Sequence, residues 1–579
     1  MQGPYRSALQ TGYVVVSLRS HVHRHKSRID RFLAANIGNL GTYAAGRITI
    51  TARTSARCLR IQWTYKLPDT NPSPLRPLLL AAQNTAWASE RTGKHAILLC
   101  YHSMSNSSSQ HSSLAELRAL SRIIQESIDA IDACLTTNGQ EFPSPDTTLT
   151  MESEAARMAS DVDRQCSLIV SAAYQLICSV RSPMASLVSV ATQYKVSAAL
   201  RVALEANVVE ALREAGPKGA HVSEIAKASC VDPGKLARIL RLLATNHIFV
   251  EVAPDVFTNN RISTAMDTGK SIKALLESPT TKYVGTTGVA ASVGHITDEG
   301  MKAAAYLAET LLDSNTAQSQ EPTQTALNLA FRTDLPAWEW LESKGNEHRL
   351  ARFAIAMDGS KNVAPPSAIL EGFDWKGLKD GAIVVDVGGG LGSQALTIAW
   401  NCPHLHFVVQ DREPVVKEAE KFWTDQFPAA LQSGQVRLQV HDFFTPQPIT
   451  DASVFLLRNI IHDWSDKYCL QILRHLRNAA TPDTHLVIVD SLVSYACEDD
   501  DLKNIPGAVR PVPPKPLLPN MGHAATAAYQ IDIQMLDSLN GKERTVKEMN
   551  TLMEQTGWRL VQVHQSTTFS TCKVIGVPS

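Results

Sequence analysis

The chain has 579 residues, 44% hydrophobic and 19% charged, with a formal net charge of −1. That length predicts two or three domains with well-buried cores. The near-neutral balance argues against a global nucleic-acid-binding surface, and the sequence holds no apolar run of the roughly 18 residues that a membrane span needs.

Residues 1–112 form a basic, unassigned N-terminal extension. Up to His102 the acids are only Asp30, Asp69 and Glu90, while arginines recur. Such a composition fits a targeting segment, yet apolar runs such as Leu78-Leu79-Leu80-Ala81-Ala82 interrupt it. A wrongly assigned start is an equal reading, with Met104 or Met151 as the first residue. Asn106-Ser107-Ser108, within a polar tract, is read as a chance glycosylation pattern. Ten scattered cysteines include no C-x-x-C pair. Neither a metal site nor a disulfide framework is therefore expected, and the expected location is cytoplasmic.

Residues 113–262 read as a helical, winged-helix dimerisation domain. Leu114, Leu117, Leu120, Ile123 and Ile124 fall at helical spacing. The stretch HVSEIAKASCVDPGKLARILRLLATNHIFVEV reads as helix, turn, helix and strand. Ser223 is the expected cap of the first helix, and Asp232-Pro233 opens the second. Lys235, Arg238 and Arg241 share one helix face. A DNA-binding use of that face stays open beside a packing or dimerisation role.

Residues 263–375 read as mostly helical, a linker that also builds a substrate pocket, with Trp338, Trp340, Phe353 and Met357 as an apolar stripe that is either core or ligand wall. From residue 376 to 579 short apolar runs alternate with helical segments. That pattern implies an α/β class: a Rossmann-like, doubly wound parallel sheet. Trp558 to Val563 and Cys572 to Val577 suggest a closing hairpin. The proline-rich stretch from Asp499 to Gly522 is either a pocket cover or a tolerated insertion.

The first run of this sheet leads into VVDVGGGLGS, with Asp386, Gly388, Gly390 and Gly392. Glycines after a strand let a ligand approach the backbone, and the next helix points N–H groups at it. Ser393 sits where a dinucleotide fingerprint expects a third glycine or alanine. Asp386 would repel a pyrophosphate but suits an ammonium. Asp411 closes the next strand, where an acid takes ribose hydroxyls. Asp442 and Phe443 follow the third strand, placed for an adenine amino group and ring. A nicotinamide-dependent oxidoreductase remains an alternative on the same sheet. An apolar run then ends in His462-Asp463-Trp464, where the histidine is either a base or a polar strand end.

VVDVGGGLG, VVQD, HDFF, LRNIIHDWSD and NGKERT, in this order, resemble the plant and fungal S-adenosylmethionine-dependent O-methyltransferases. These include caffeate O-methyltransferase and the sterigmatocystin-type fungal polyketide enzymes. The resemblance runs from about Leu114 to Ser579. It implies S-adenosyl-L-methionine as cofactor, a phenolic acceptor from aromatic secondary metabolism, and a homodimer. His462 is implied as general base, with Asp490 and Glu543 flanking it. Gly388, Asp411, Asp442 and Phe443 are implied cofactor contacts, joined by Asp386 and Gly390 of the glycine turn. Arg458 stands where plant members often carry a cofactor-contacting lysine. Met535 matches a position lining the phenol pocket, and Trp338 is expected in the same apolar wall. A phenol ionises near about 10 and imidazole near about 6.5, so a neutral histidine can take the proton during attack.

Overall fold

The computed structural model describes residues 113–360, 366–499, 501–565 and 571–579, and four strands between residues 48 and 99. The chain divides into two compact units, Met1–Gln110 and His111–Ser579. In the first, Ile48–Ser55 pairs antiparallel with Cys58–Tyr65, and Ala86–Ser89 with Ala96–Leu99. The sequence reading foresaw none of these strands. The apolar run 78–82, the residue 104 start and the 106–108 pattern lie outside the described residues.

The second unit opens with helices α1 (Ser113–Asn138) and α2 (Ser160–Val180), which pack along each other. Helix α3 (Pro183–Thr192) follows, leaving Met184, Leu187, Val188 and Val190 exposed. The expected helix–turn–helix is present as Val222–Ile225 and α4 (Pro233–Thr245). Asp232 caps α4 by accepting from the Lys235 N–H, with Pro233 in the first turn. The first helix is capped by His221 rather than Ser223, because Ser223 already lies inside it and its N–H donates to the His221 ring. Val250–Ala253 and Val256–Thr258 form a hairpin that joins Ala220–His221 in a three-stranded sheet. Arg241, one of the three basic residues on α4, is bonded to Glu251 of this hairpin and to Asp255.

Helix α5 (Val289–His295) runs into a π-helical turn, Ile296–Gly300. Helices α6 (Ala337–Glu342) and α7 (Glu347–Ser360) follow. The sheet then begins. Its strands are β1 (Ile383–Val387), β2 (His406–Asp411), β3 (Val436–Val440), β4 (Val454–Arg458), β5 (His485–Ser491), β6 (Trp558–Gln565) and β7 (Thr571–Pro578), in the order β3-β2-β1-β4-β5-β7-β6. The first five are parallel, and β7 runs antiparallel between β5 and β6. The parallel strands are nearly continuous apolar runs because both sheet faces are covered. On one face Val384, Leu456 and Val487 pack with α8 (Ser393–Asn401) and Trp423 of α9 (Glu413–Gln426). On the other, Phe455 and Ile488 pack with α10 (Asp466–Ala479) and α12 (Val546–Glu554). The expected alternation and closing hairpin are both realised.

Between β5 and α11 (Thr526–Leu539) runs the proline-rich segment. It clasps the N-terminal helices instead of merely connecting. Leu517 is buried with Leu120, Ile123 and Ala172. The Pro516 carbonyl accepts from Gln175, the Met521 carbonyl accepts from Ser171, and His523 stacks on Tyr174 at 3.7 Å. The clasp predicts an asymmetry between two substitutions. Leu517→Ala should cost about 2–4 kcal/mol, as a buried leucine truncation does. Lys515→Ala, which removes only an exposed ion pair with Glu498, should cost under about 0.5 kcal/mol. Urea-denaturation midpoints of the two variants check this.

Candidate active site

The carboxyl ends of β1, β2, β4 and β5 converge on one rim. At the end of β1 the chain enters the glycine turn with Gly388, Gly390 and Gly392 all at positive φ (66°, 60° and 78°). Only glycine adopts such a succession without strain. A Cβ on Gly388 would lie 2.6 Å from Ile460 Cδ1, while one on Gly390 would meet open space. The turn is held from β2: the Gly390 N–H donates to Asp411 Oδ2 at 2.8 Å, and the Gly389 N–H donates to the Gln410 carbonyl. Phe443 reaches over the turn, with Cε1 3.4 Å from where a Gly388 Cβ would stand. Its ring meets Phe444 and Trp464 edge-on at 4.8 and 6.0 Å. Asp442 is exposed and accepts from the Phe444 N–H.

Asp386 is buried in β1, 2% exposed, and its Oδ2 has no protein partner. Burial pushes its carboxyl up to about 7, against the pull of the Arg458 guanidinium. Arg458 ends β4. The register sets Leu456 beside Asp386, and Arg458 beside Val489, the neighbour of Asp490. Burial lowers the Arg458 pKa, and Asp386 and Asp490 oppose that.

His462 sits on a short 3-10 turn, Ile461–Asp463, just after β4. The NGKERT segment is built around it. Helix α11 ends at Asn540 in the left-handed region (φ 53°), which turns the chain back. Gly541 then packs against the turn so closely that a Cβ would be 2.3 Å from the His462 carbonyl oxygen. The Lys542 N–H donates to that same carbonyl at 2.8 Å. Glu543, 1% exposed, places Oε1 2.8 Å from His462 Nδ1. Its own N–H donates to Asp532 on α11. Arg544, equally buried, donates to the carbonyls of Ile461 and Trp464 and pairs with Asp466. The segment therefore fixes both the backbone and the ring of His462.

Of the two expected flanking acids, only Glu543 touches the ring. Asp490 is 2% exposed at the end of β5, and neither of its oxygens bonds a protein atom. It acts on His462 through charge alone. The second carboxylate at the ring is Asp463, whose Oδ1 lies 3.4 Å from Nε2. Spacing could not reveal this, because the direction of a side chain in a turn depends on the turn's dihedrals. Burial alone would lower the His462 pKa; Asp463, Glu543 and Asp490 outweigh it and push the imidazole up to about 10. Burial raises Asp463 to about 6 and Asp490 to about 7, with His462 opposing both.

Met535 and Trp338 also come together. With Phe331 and Phe353 they pack against buried Ala303, Leu327, Trp340, Leu341 and Leu539. Helix α11, which carries Met535, packs against the His462 turn as well. Among the described residues no cluster of metal-ligating side chains occurs, and no helix is long and apolar enough to cross a membrane.

Glu543→Gln should lower the His462 pKa, because it removes a carboxylate in direct contact with Nδ1. Histidine NMR titration of the two proteins measures it; an unchanged value would mean that the contact is absent in solution.

Residues 188–268 match the O-methyltransferase dimerisation domain, and residues 315–506 match the O-methyltransferase domain. An O-methyltransferase of Armillaria gallica is 43% identical over 451 residues, 78% of this chain and 95% of the relative. The 4-O-methyltransferase 1 of Phanerochaete chrysosporium is 42% identical over 78% of this chain and 96% of its own. Sterigmatocystin 8-O-methyltransferase of Aspergillus parasiticus is 28% identical over 74% and 88%. The fold is shared with the solved mitomycin 7-O-methyltransferase MmcR, at TM-score 0.51 and 23% identity, covering 68% of this chain and 97% of that one. It is shared also with a pericyclic reaction enzyme, at TM-score 0.54 and 18% identity, covering 80% and 100%. The extent of the first two matches, over a site assembled from the same motifs, identifies this chain as a member of the S-adenosylmethionine-dependent O-methyltransferase family.

Proposed function

We propose that this O-methyltransferase methylates a phenolic hydroxyl of an aromatic secondary metabolite, with His462 as general base. The observation that carries the reading is the 2.8 Å contact of Glu543 with His462 Nδ1. It holds the proton on Nδ1 and leaves Nε2 as the atom that receives one. Asp463 stands 3.4 Å from Nε2, too far for a strong bond, so an acceptor hydroxyl can take its place there. The aromatic wall of Phe331, Trp338, Phe353 and Met535 suits a flat ring. Sterigmatocystin 8-O-methyltransferase among the relatives supports an acceptor of that class.

The residues at the rim fit S-adenosylmethionine. Gly388 and Gly390 leave the turn open to a ligand, and the unpartnered Asp386 oxygen suits an ammonium. Asp411 and Asp442 are the candidates for ribose and adenine polar groups, and Phe443 for the adenine face. Arg458 is proposed to set the charge on Asp386, not to touch the cofactor as the plant lysine does. The bound cofactor supplies a methyl group already activated on a sulfonium. The chain's own task is to orient the acceptor and remove its proton.

A base pushed up to about 10 is matched to a phenol of ordinary pKa near 10. Proton transfer between them is then close to balanced. The same shift keeps much of the ring protonated at neutral pH, and only the unprotonated ring acts as base. Methyl transfer should therefore climb with pH through a limb lying above the ordinary imidazole range. In Glu543→Gln that limb should move to lower pH, with a lower maximum from the lost orientation. A limb at about 6.5 in both proteins would contradict the reading.

The direct test offers methyl-labelled S-adenosylmethionine and a pool of phenols to the wild type and His462→Ala, after calorimetry shows that both bind S-adenosylhomocysteine. We expect the variant to lose about 10²- to 10⁴-fold in rate, the range of general-base catalysis. Equal transfer by both would reduce His462 to a structural residue.

The match at 188–268 and the exposed apolar residues of α3 support a homodimer. Light scattering should give twice the 63.1 kDa chain mass. Leu187→Glu should shift that mass toward the monomer.

A further inference from the structure

The π-helical turn after α5 carries chemistry that the mechanism above does not use. Such turns add one residue to a helical turn and occur frequently at functional sites. Here Asp298 and Glu299 are each only 2% exposed. Two buried carboxylates require partners, and both have them. Asp298 pairs with Arg201, Lys302 and Arg352, at 2.7, 2.5 and 2.9 Å. Glu299 pairs with Arg349 and Arg352, at 3.0 and 2.5 Å. From this fixed position Glu299 Oε2 lies 3.1 Å from His295 Nδ1. In the neutral ring this contact places the proton on Nδ1 and leaves Nε2 as an acceptor.

The ring adjoins the proposed acceptor wall. The His295 ring meets Phe353 edge-on at 5.2 Å, and Phe353 meets Trp338 at 5.4 Å. Nε2 lies 3.5 Å from the side-chain nitrogen of Gln534, the neighbour of Met535 on α11. The same helix packs against both the π-turn and the His462 turn. At 3.5 Å the amide only weakly satisfies the ring nitrogen. The pair sets one ring nitrogen and one amide beside the aromatic cluster. A hydroxyl satisfies both, donating to Nε2 and accepting from the amide. An ether oxygen has no proton to give.

We propose that His295, held by Glu299 and paired with Gln534, recognises a second hydroxyl on the aromatic acceptor, distinct from the one that is methylated. This rests on the acceptor reading above. It makes the substrate class a polyhydroxylated arene and makes His295 a specificity determinant.

The test uses the full chain, labelled S-adenosylmethionine, and two probes: a naphthalenediol with its hydroxyls on different rings, and its monomethyl ether. The wild type should favour the diol by at least about tenfold in kcat/KM, since a site built to bond a hydroxyl rejects an analogue lacking it. In His295→Phe and Gln534→Leu the ratio should collapse toward one, through KM for the diol. S-adenosylhomocysteine binding and thermal melting report folding, and Gln534→Leu decides alone if His295→Phe is misfolded. A wild-type ratio near one, or a ratio kept in the variants, overturns the inference while leaving phenol methylation intact. If neither probe is methylated, the phenol reading fails. Tryptophan-fluorescence titration of the S-adenosylhomocysteine complex then reads the same preference as binding, and equal affinity for diol and ether overturns the inference too.

Discussion

The site depends on one buried contact, the carboxylate of Glu543 against the imidazole of His462. Everything near it serves to bring two distant pieces of chain together without a clash. β4 delivers the histidine at the end of an apolar run, and α11 delivers the glutamate after a left-handed reversal at Asn540. Gly541 allows the two backbones to approach, since any side chain there would collide with the His462 carbonyl. Arg544 then donates to the carbonyls of Ile461 and Trp464 and ties the segment to the turn. A buried glutamate without the ring would be an uncompensated charge, so the contact stabilises the turn as well as orienting it.

The catalytic sheet was readable because its parallel strands are covered on both faces and stand out as short apolar runs between helical stretches. The glycine turn and NGKERT were readable because they require particular residues at particular positions. What the sequence hid is side-chain direction. Asp490 ends a strand beside the site and looked like a partner for His462, yet the contact belongs to Asp463, one residue along in the same turn. The cap at His221 was missed because serine has the stronger general preference, while the fold starts the helix one residue earlier than Ser223. The π-turn left no trace in the periodicity, since one added residue shifts a helical pattern too little to read over so short a span. Its signal lies in the acid pair Asp298-Glu299, which only burial makes significant.

The proline-rich segment shows how a stretch that reads as a mere connector can carry structure. Its apolar residue Leu517 fills the seam between α1 and α2. It leads directly into α11, the helix bearing Asp532, Gln534 and Met535. The N-terminal helices are thereby tied to the helix that both supports Glu543 and lines the aromatic cluster. Packing at the far end of the unit is thus mechanically continuous with the site.

The acids at the rim form a single electrostatic system. Asp386 and Asp490 both act on the Arg458 guanidinium through charge, and burial raises both carboxyls to about 7. Near neutral pH each is therefore poised between its charged and neutral forms. Positive charge brought against Asp386 favours its ionised form. Arg458, ending the strand between them, opposes the rise at Asp386, while His462 and Arg544 oppose it at Asp490. Replacing Arg458 by a neutral residue would drive the Asp386 carboxyl further toward protonation. The two acids are thus linked through one guanidinium in the floor of the sheet, and a change at Arg458 should be read in the titration of Asp386.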